Sequence, residues 1–210
     1  VVPVPADMPE ERAVFMEPLA CCLRALDRVQ VREGDTVLIV GVGAIGLLFL
    51  PLLRDRSATV LAADTRAQRL DAAAAWGASQ GLLVGRDDVA ASTRSASGGR
   101  GADVVILPAT NAATIVLALE GVRDGGVIVP FGVKPGMMPP VDLWQLYRRE
   151  VSLVTSYSAT PEGLARAMAI LARDGYALEQ TISHRFGIAD AHQGFTLLHD
   201  LKASKVVVRG

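Results

Sequence analysis

The chain has 210 residues, half of them hydrophobic and a fifth charged, with a formal net charge of −1, the balance of a folded globular protein with a sizeable core. Such a charge gathers neither nucleic acid nor an anionic membrane, and the sparse aromatics are not interleaved with bases as a single-strand stacking platform requires. Two cysteines, Cys21 and Cys22, cannot build a disulfide framework or a four-cysteine zinc site, and this usage suits a reducing cytoplasm.

The chain opens on Val1-Val2-Pro3, with no initiator Met and no basic n-region. It does not begin as a signal peptide does, and this start is read as other than the start of the gene. After about residue 30 short apolar runs alternate with helical stretches, the pattern of a parallel α/β sheet. Thr36–Val40 is the first expected strand, entered through the turn Glu33-Gly34-Asp35. The uncharged stretch 36–53 approaches the length of a membrane span. It divides, however, into a β-branched run suited to a buried parallel strand and an apolar helix over Ala44–Arg54, interrupted by Gly41, Gly43, Gly46 and Pro51.

Further strands are expected at Thr59–Ala63, Gly81–Val84, Asp103–Leu107, Val127–Phe131 and Ser152–Thr155. Helices are expected at Arg66–Trp76, Asp87–Ser95, Ala112–Glu120 and Val141–Tyr147. Gly77 reads as a helix C-cap, Ser97 to Gly101 as the most flexible loop, and Asp124-Gly125-Gly126 as the turn into the fifth strand. Six strands joined by crossovers make a doubly wound dinucleotide fold with strand order 3-2-1-4-5-6. Past Ser156 the pattern changes. Pro161 opens a helix through Arg173 that Gly175 ends, a strand follows at Thr181–Phe186, then a helix at Asp190–Asp200 and a last strand at Lys205–Arg209.

Gly41-Val42-Gly43-Ala44-Ile45-Gly46 matches G-x-G-x-x-G. The match is informative because it follows a hydrophobic strand and opens a helix. Gly41 permits the tight turn, Gly43 lets the backbone approach a diphosphate, and Gly46 lets the helix pack on the strand. The free N–H groups and positive dipole end near Ala44 and Ile45 suit an anion; the alternative is that the glycines only close the turn. Asp64 ends the second strand, eighteen positions past Gly46. A carboxylate there accepts hydrogen bonds from both adenosine ribose hydroxyls and repels a 2′-phosphate, which favours NAD over NADP. Arg66, just beyond, is a base that can pair with a 2′-phosphate, and Asp64 can also cap the following helix.

Taken together, the sequence resembles the zinc-type medium-chain dehydrogenase/reductase family, in its sorbitol and polyol dehydrogenase branch. The resembling residues are Glu17-Pro18-Leu19-Ala20, Gly34 to Val40 with the glycine motif, and Asp64 with Arg69-Leu70. Trp76-Gly77-Ala78, Gly101 to Val105, Gly125-Gly126 and Lys205 to Val208 complete them. The resemblance implies that the glycine loop binds the cofactor diphosphate, Asp64 the adenosine ribose, and Arg69 lies beside that ribose. It places Thr110 and Val133, in the segments 108–111 and 131–133, along the nicotinamide end. Glu17 falls where such enzymes put a glutamate at the catalytic zinc or its bound water.

The implied reaction is hydride transfer between a secondary alcohol, polyol or sugar and NAD, with zinc polarising the alcohol oxygen. Residues 1–17 are then a remnant of the N-terminal catalytic domain, 18–158 the NAD-binding domain, and 159–210 a segment returning toward the catalytic, GroES-like domain. The family's other zinc ligands have no counterpart in these residues, so zinc in this chain is doubtful and the chain is expected to bind NAD without turnover of its own. His184, His192 and His199 read as surface or capping residues, and the two cysteines as core or interface residues. The apolar sixth strand, with Val151, Leu153 and Val154, is an expected homodimer edge. Two rival readings are a zinc-free NADPH quinone or enoyl reductase, which lacks an acid at Asp64 and a ligand at Glu17, and a non-enzymatic NAD-sensing module.

Overall fold

Short β-branched runs separated by helix-length apolar stretches produce, in the computed structural model, a six-stranded parallel sheet in the order β3-β2-β1-β4-β5-β6. Residues 2–173, 178–200 and 202–210 are described. Contacts divide the chain into two units, Cys21–Ser158 and Val1–Ala20 with Ala159–Gly210.

In the larger unit, β1 (Thr36–Val40), β2 (Thr59–Asp64), β3 (Gln80–Leu83) and β4 (Ala102–Leu107) lie side by side. Val37 of β1 sits between Val60 and Val104, and this register carries through to Ile39, which is flanked by Ala62 and Ile106. Every residue of β1 and of β4 is buried, which explains why these strands read as unbroken apolar runs: helices cover both faces of a parallel sheet. The helix α3 (Ala44–Arg54) follows β1, α4 (Ala67–Ala75) follows β2, α5 (Val89–Ala96) follows β3 and α6 (Ala112–Gly121) follows β4. Asp88 caps α5 through the Ala91 amide, and Asn111 with Thr114 forms a capping box on α6, fixing those helix starts. Gly77, at a φ of +105°, follows α4 as a C-cap glycine does.

The fifth strand, β5 (Val122–Pro130), begins well before the expected Val127. Asp124-Gly125-Gly126 is not a turn ahead of the strand but an irregularity inside it. The register against β4 shifts between Ala102, which faces Val122, and Val104, which faces Val127, and Gly125 takes a φ of +68°, so the glycine segment absorbs three extra residues as an enlarged bulge does. The sixth strand, β6 (Ser152–Leu153), is shorter than expected, because ladder pairing with β5 stops at Ile128–Leu153. The glycine-rich stretch after α5 is tied down. The Gly101 amide donates to Ser97 Oγ at 2.8 Å, and that hydroxyl donates to the Thr93 carbonyl at 2.8 Å. The helix α7 (Leu143–Arg149) leads into β6. Arg149 donates to the carbonyls of Leu119 and Val122 at the end of α6 and to Asp124, satisfying carbonyls that a helix end leaves free.

The second unit holds α1 (Glu10–Ala13), the start of α2 (Met16–Val29), α8 (Pro161–Leu171), α9 (Ala191–His199) and a parallel pair, β7 (His184–Gly187) with β8 (Val206–Arg209). Thr181 belongs to a 3-10 turn, Leu178–Thr181, where its hydroxyl donates to the Leu178 carbonyl at 2.7 Å; the strand expected from Thr181 therefore starts three residues later. The helix end expected at Gly175 lies outside the described residues. Glu11 of α1 takes both Arg185 of β7 and Arg209 of β8 at 2.7 Å. Arg185 holds the Glu11 carboxyl below the usual carboxylate range. Among the described residues no helix is long and apolar enough to cross a membrane, and the uncharged stretch 36–53 resolves into β1 and α3.

Candidate functional site

The strand order reverses between β1 and β4, and in open α/β sheets the crevice at the carboxyl ends of the strands beside that reversal is the place for a ligand. The turn there starts at Gly41, whose φ of +104° is closed to most side chains. Its amide donates to the Ala63 carbonyl of β2 at 2.7 Å. Gly43 caps α3 without any side-chain bond, and the first amides of the helix, at Ala44, Ile45 and Gly46, have no intrahelical acceptors and carry the positive end of the helix dipole. A Cβ on Gly46 would collide with the Gly41 carbonyl oxygen and would stand 3.5 Å from Pro108. The third glycine is therefore required by the closeness of helix, loop and β4.

Asp64 closes β2 with its side chain only 3% exposed. Its Oδ2 accepts from the Val42 amide of the glycine loop at 2.9 Å, and its Oδ1 accepts from the Arg66 amide at 3.0 Å. Arg69, on the first turns of α4, reaches back to Oδ2 at 3.4 Å. The same guanidinium lies over the glycine loop: a Cβ added to Gly43 would stand 3.8 Å from it. Acid, loop and base thus form one cluster. Beside them at the end of β3, Asp87 pairs with Arg86 and accepts from the Leu83 amide, which hold its carboxyl down to about 2.

On the other side of the crevice, β4 and β5 leave the sheet sewn together. The Leu107 carbonyl accepts from the Phe131 and Gly132 amides, and the Gly132 carbonyl accepts from the Thr110 amide at 2.8 Å. A Cβ on Gly132 would collide with the Pro108 carbonyl oxygen. Thr110 is buried by this arrangement, whereas the next residue after the seam, Val133, is 52% exposed. Phe131 packs edge-on against Phe49 of α3, with ring centroids 5.3 Å apart, which links the far end of the crevice to the helix that opens it.

Glu17 stands in the first turn of α2, on an exposed position, in the unit formed by 1–20 and 159–210. Among the described residues no group of three or more His, Cys, Asp or Glu could hold a metal ion. The described residues by themselves do not fit a zinc centre, which needs about three protein ligands. His184 lies against Phe186 with its Nδ1 3.0 Å from Ser183 Oγ, and His192 and His199 are exposed. Cys22 is buried and Cys21 half-buried on α2.

Ten positions singled out from sequence thus fall into three places. Gly41, Gly43, Ala44, Ile45, Gly46, Asp64 and Arg69 gather at the β1–α3 turn, Thr110 and Val133 line the β4–β5 exit, and Glu17 lies in the other unit. The Val42 amide went unrecognised, because it occupies a variable position of the motif and acts through its backbone. The Phe49–Phe131 contact left no sequence signal either.

Against known proteins, residues 44–173 match the family described as zinc-binding dehydrogenase. The chain is 29% identical over 206 residues to L-threonine 3-dehydrogenase of Anaeromyxobacter dehalogenans strain 2CP-C, covering 98% of this chain and 59% of that protein. It is 32% identical over 196 residues to D-altritol 5-dehydrogenase of Agrobacterium fabrum, covering 90% and 56%. A structure from Sinorhizobium meliloti 1021, described as a zinc-binding dehydrogenase bound to NADP, superposes with a TM-score of 0.88 at 28% identity. That match covers 99% of this chain and 61% of the other. The chain therefore spans less than two-thirds of the length of these relatives.

Proposed function

This chain belongs to the zinc-binding dehydrogenase family, and from that premise we propose that it is the cofactor-binding part of an enzyme that moves a hydride between a secondary alcohol, in a polyol or sugar, and NAD. The observation that carries this reading is the joined cluster at the β1–α3 turn. The first-turn amides of an 11-residue helix stand beside a carboxylate fastened to the same glycine loop at 2.9 Å. Diphosphate and ribose diol are the two features of a dinucleotide that such a pair recognises.

In this reading the Ala44, Ile45 and Gly46 amides hold the diphosphate, Asp64 takes the adenosine ribose hydroxyls, and Arg69 flanks them. The sewn exit of β4 and β5, with Thr110 and Val133, offers a rigid floor and an apolar contact to the nicotinamide ring. Residues 18–158 form the cofactor domain, supported by the contact unit Cys21–Ser158, while 1–17 and 159–210 belong with the catalytic portion. Glu17 is the one residue we assign toward zinc. Since the described residues do not make a metal site, no step is assigned to a metal held by this chain, and the 210 residues alone bind NAD without turning over alcohol. Names of relatives such as D-altritol 5-dehydrogenase support a small alcohol or polyol as substrate. The edge of β6, where Leu153 is 41% exposed, supports a homodimer, and the free cysteines support a reducing cytoplasm.

Calorimetric titration of the purified chain with NADH tests the reading. Saturable one-site binding that Gly46→Ala weakens is the expected result. A chain that binds neither NADH nor NADPH would overturn it.

A further inference from the structure

The amino ends of the strands, opposite the crevice, carry a second hollow of about 280 Å³. It lies wholly within the larger unit, bordered by the last turn of α2, the chain entering β1, and residues of β4 and β5. The helix α2 ends at Val29, and Gln30 takes a φ of +49°, a left-handed conformation uncommon for any residue but glycine. This turn sets Arg28 before it and Arg32 after it on the same hollow. Arg123 of β5 lines it from the sheet. Its Nε donates to Asp103 at 2.6 Å and its Nη1 to the Asp124 carbonyl at 2.8 Å, which leaves Nη2 without a bond among the described residues.

The charge balance favours an anion. Asp103 is buried and already receives the Thr36 amide, Arg123 and Arg100. Asp35 accepts from the Arg32 amide at 2.8 Å, and Asp27, beside Arg28 in sequence, pairs with Arg56. Among the described residues no hydrogen bond or ion pair engages the guanidinium of Arg28 or of Arg32. Two aspartates thus stand against four arginines in and beside the hollow. A phosphate monoester carries close to two negative charges at neutral pH, and guanidinium forks match its oxygens. Size and lining favour an ester over free phosphate. Val29, Val104 and Val127 give the hollow an apolar side, and its volume approaches the range of small-molecule pockets.

We propose that this hollow binds a small phosphate monoester, with Arg28, Arg32 and Arg123 holding the phosphate and the valines its carbon body. The ordinary role of Arg28, a base complementing the dipole at a helix C-terminus, accounts for that residue but not for Arg32 and Arg123 on the same space. The site is separate from the dinucleotide crevice, since Asp35 and Asp103 stand at the amino ends of the strands whose carboxyl ends form that crevice.

Calorimetric titration of the purified chain with glycerol 3-phosphate at pH 7.5 tests this, with inorganic phosphate and glycerol as comparison ligands at matched ionic strength. One saturable site is expected, about fivefold tighter for the ester than for inorganic phosphate through the buried carbon body, and no binding of glycerol. Arg28→Gln and Arg32→Gln, both at exposed positions, should each weaken the ester about tenfold, the size of a lost charge-assisted bond. The double variant should abolish binding, with circular dichroism melts confirming that each variant folds. Saturating NADH should leave the ester's affinity unchanged, which separates this hollow from the amides of α3. The proposal is overturned if wild type shows no saturable site, if the double variant binds as wild type does, or if NADH displaces the ester. Equal affinity for inorganic phosphate would overturn the assignment to an ester. A chain that fails to bind NADH removes the dinucleotide reading alone, since the arginine variants decide this site without it.

Discussion

The Oδ2 of Asp64 lies 2.9 Å from the backbone nitrogen of Val42, twenty-two residues earlier in the chain. The acid that would grip a ribose is thus also the clasp that holds the glycine loop against β2. Stability and ligand recognition share one side chain, and substitutions there should report on both.

Asp64→Ala leaves the buried Val42 amide without its acceptor. Losing a hydrogen bond to a charged group should cost about 1.5–3 kcal/mol, read from urea denaturation, together with a large loss of NADH affinity. Asp64→Asn keeps an acceptor oxygen for one amide and should recover much of the stability while binding NADH poorly. Equal recovery of both would argue that the acid serves the loop alone.

Gly46→Ala and Gly132→Ala probe the two ends of the crevice. Each new Cβ would run into a backbone carbonyl oxygen, that of Gly41 or of Pro108, and backbone cannot swing aside as a side chain can. Overpacking of this kind should cost about 1–3 kcal/mol. Gly46→Ala should also weaken the diphosphate contact, whereas Gly132→Ala should act through the β4–β5 seam. Thermal melts with and without NADH separate the two effects.

Asp103, at the start of β4, should shape the acid limb of stability. Burial pushes its carboxyl up, but the Thr36 amide at 2.8 Å and Arg123 at 2.6 Å, with Arg100 nearby, outweigh this and hold it below its ordinary value. A folded pKa below the unfolded value of about 3.9 means that the stabilisation is complete above that pH and is lost as pH falls through the folded pKa. Urea midpoints measured from pH 6 down to pH 2.5 should fall steeply below about pH 4. In Asp103→Asn the protein should be less stable at pH 6 and its acid limb shallower.

The β6 edge should decide the assembly state. Leu153 is 41% exposed on a strand paired along only one side, and an unpaired apolar edge invites a second copy. Sedimentation equilibrium should show dimers at micromolar concentration and monomers for Leu153→Asp. Wild-type monomers would remove this edge as the contact.

Much of the architecture could be read before any coordinates. β1 and β4 are buried on both faces, so their runs are apolar throughout and their boundaries stand out. The glycine loop was legible because each glycine answers a local demand of turn, approach or packing. Asp64 was legible because it ends the next strand after that loop. Legibility failed where a residue's conformation depends on its neighbour across the sheet. Nothing local marks Val122 as a strand residue; it pairs with Ala102 only because β4 lies beside it, with Gly125 absorbing the mismatch. Thr181 reads as a β-branched strand residue, yet its hydroxyl closes a 3-10 turn.

What the amino-acid order determined alone was the inventory: which segments must be buried, where the chain can turn, and which carboxylate follows the glycine loop. Periodicity and side-chain volume are local properties, so they survive without coordinates. Only the tertiary structure decided the partners, joining Val42 to Asp64, laying Arg69 over Gly43 and pressing Gly132 against Pro108. Those pairings arise when strand order and register bring distant backbone within hydrogen-bonding range, and no local pattern encodes such a distance.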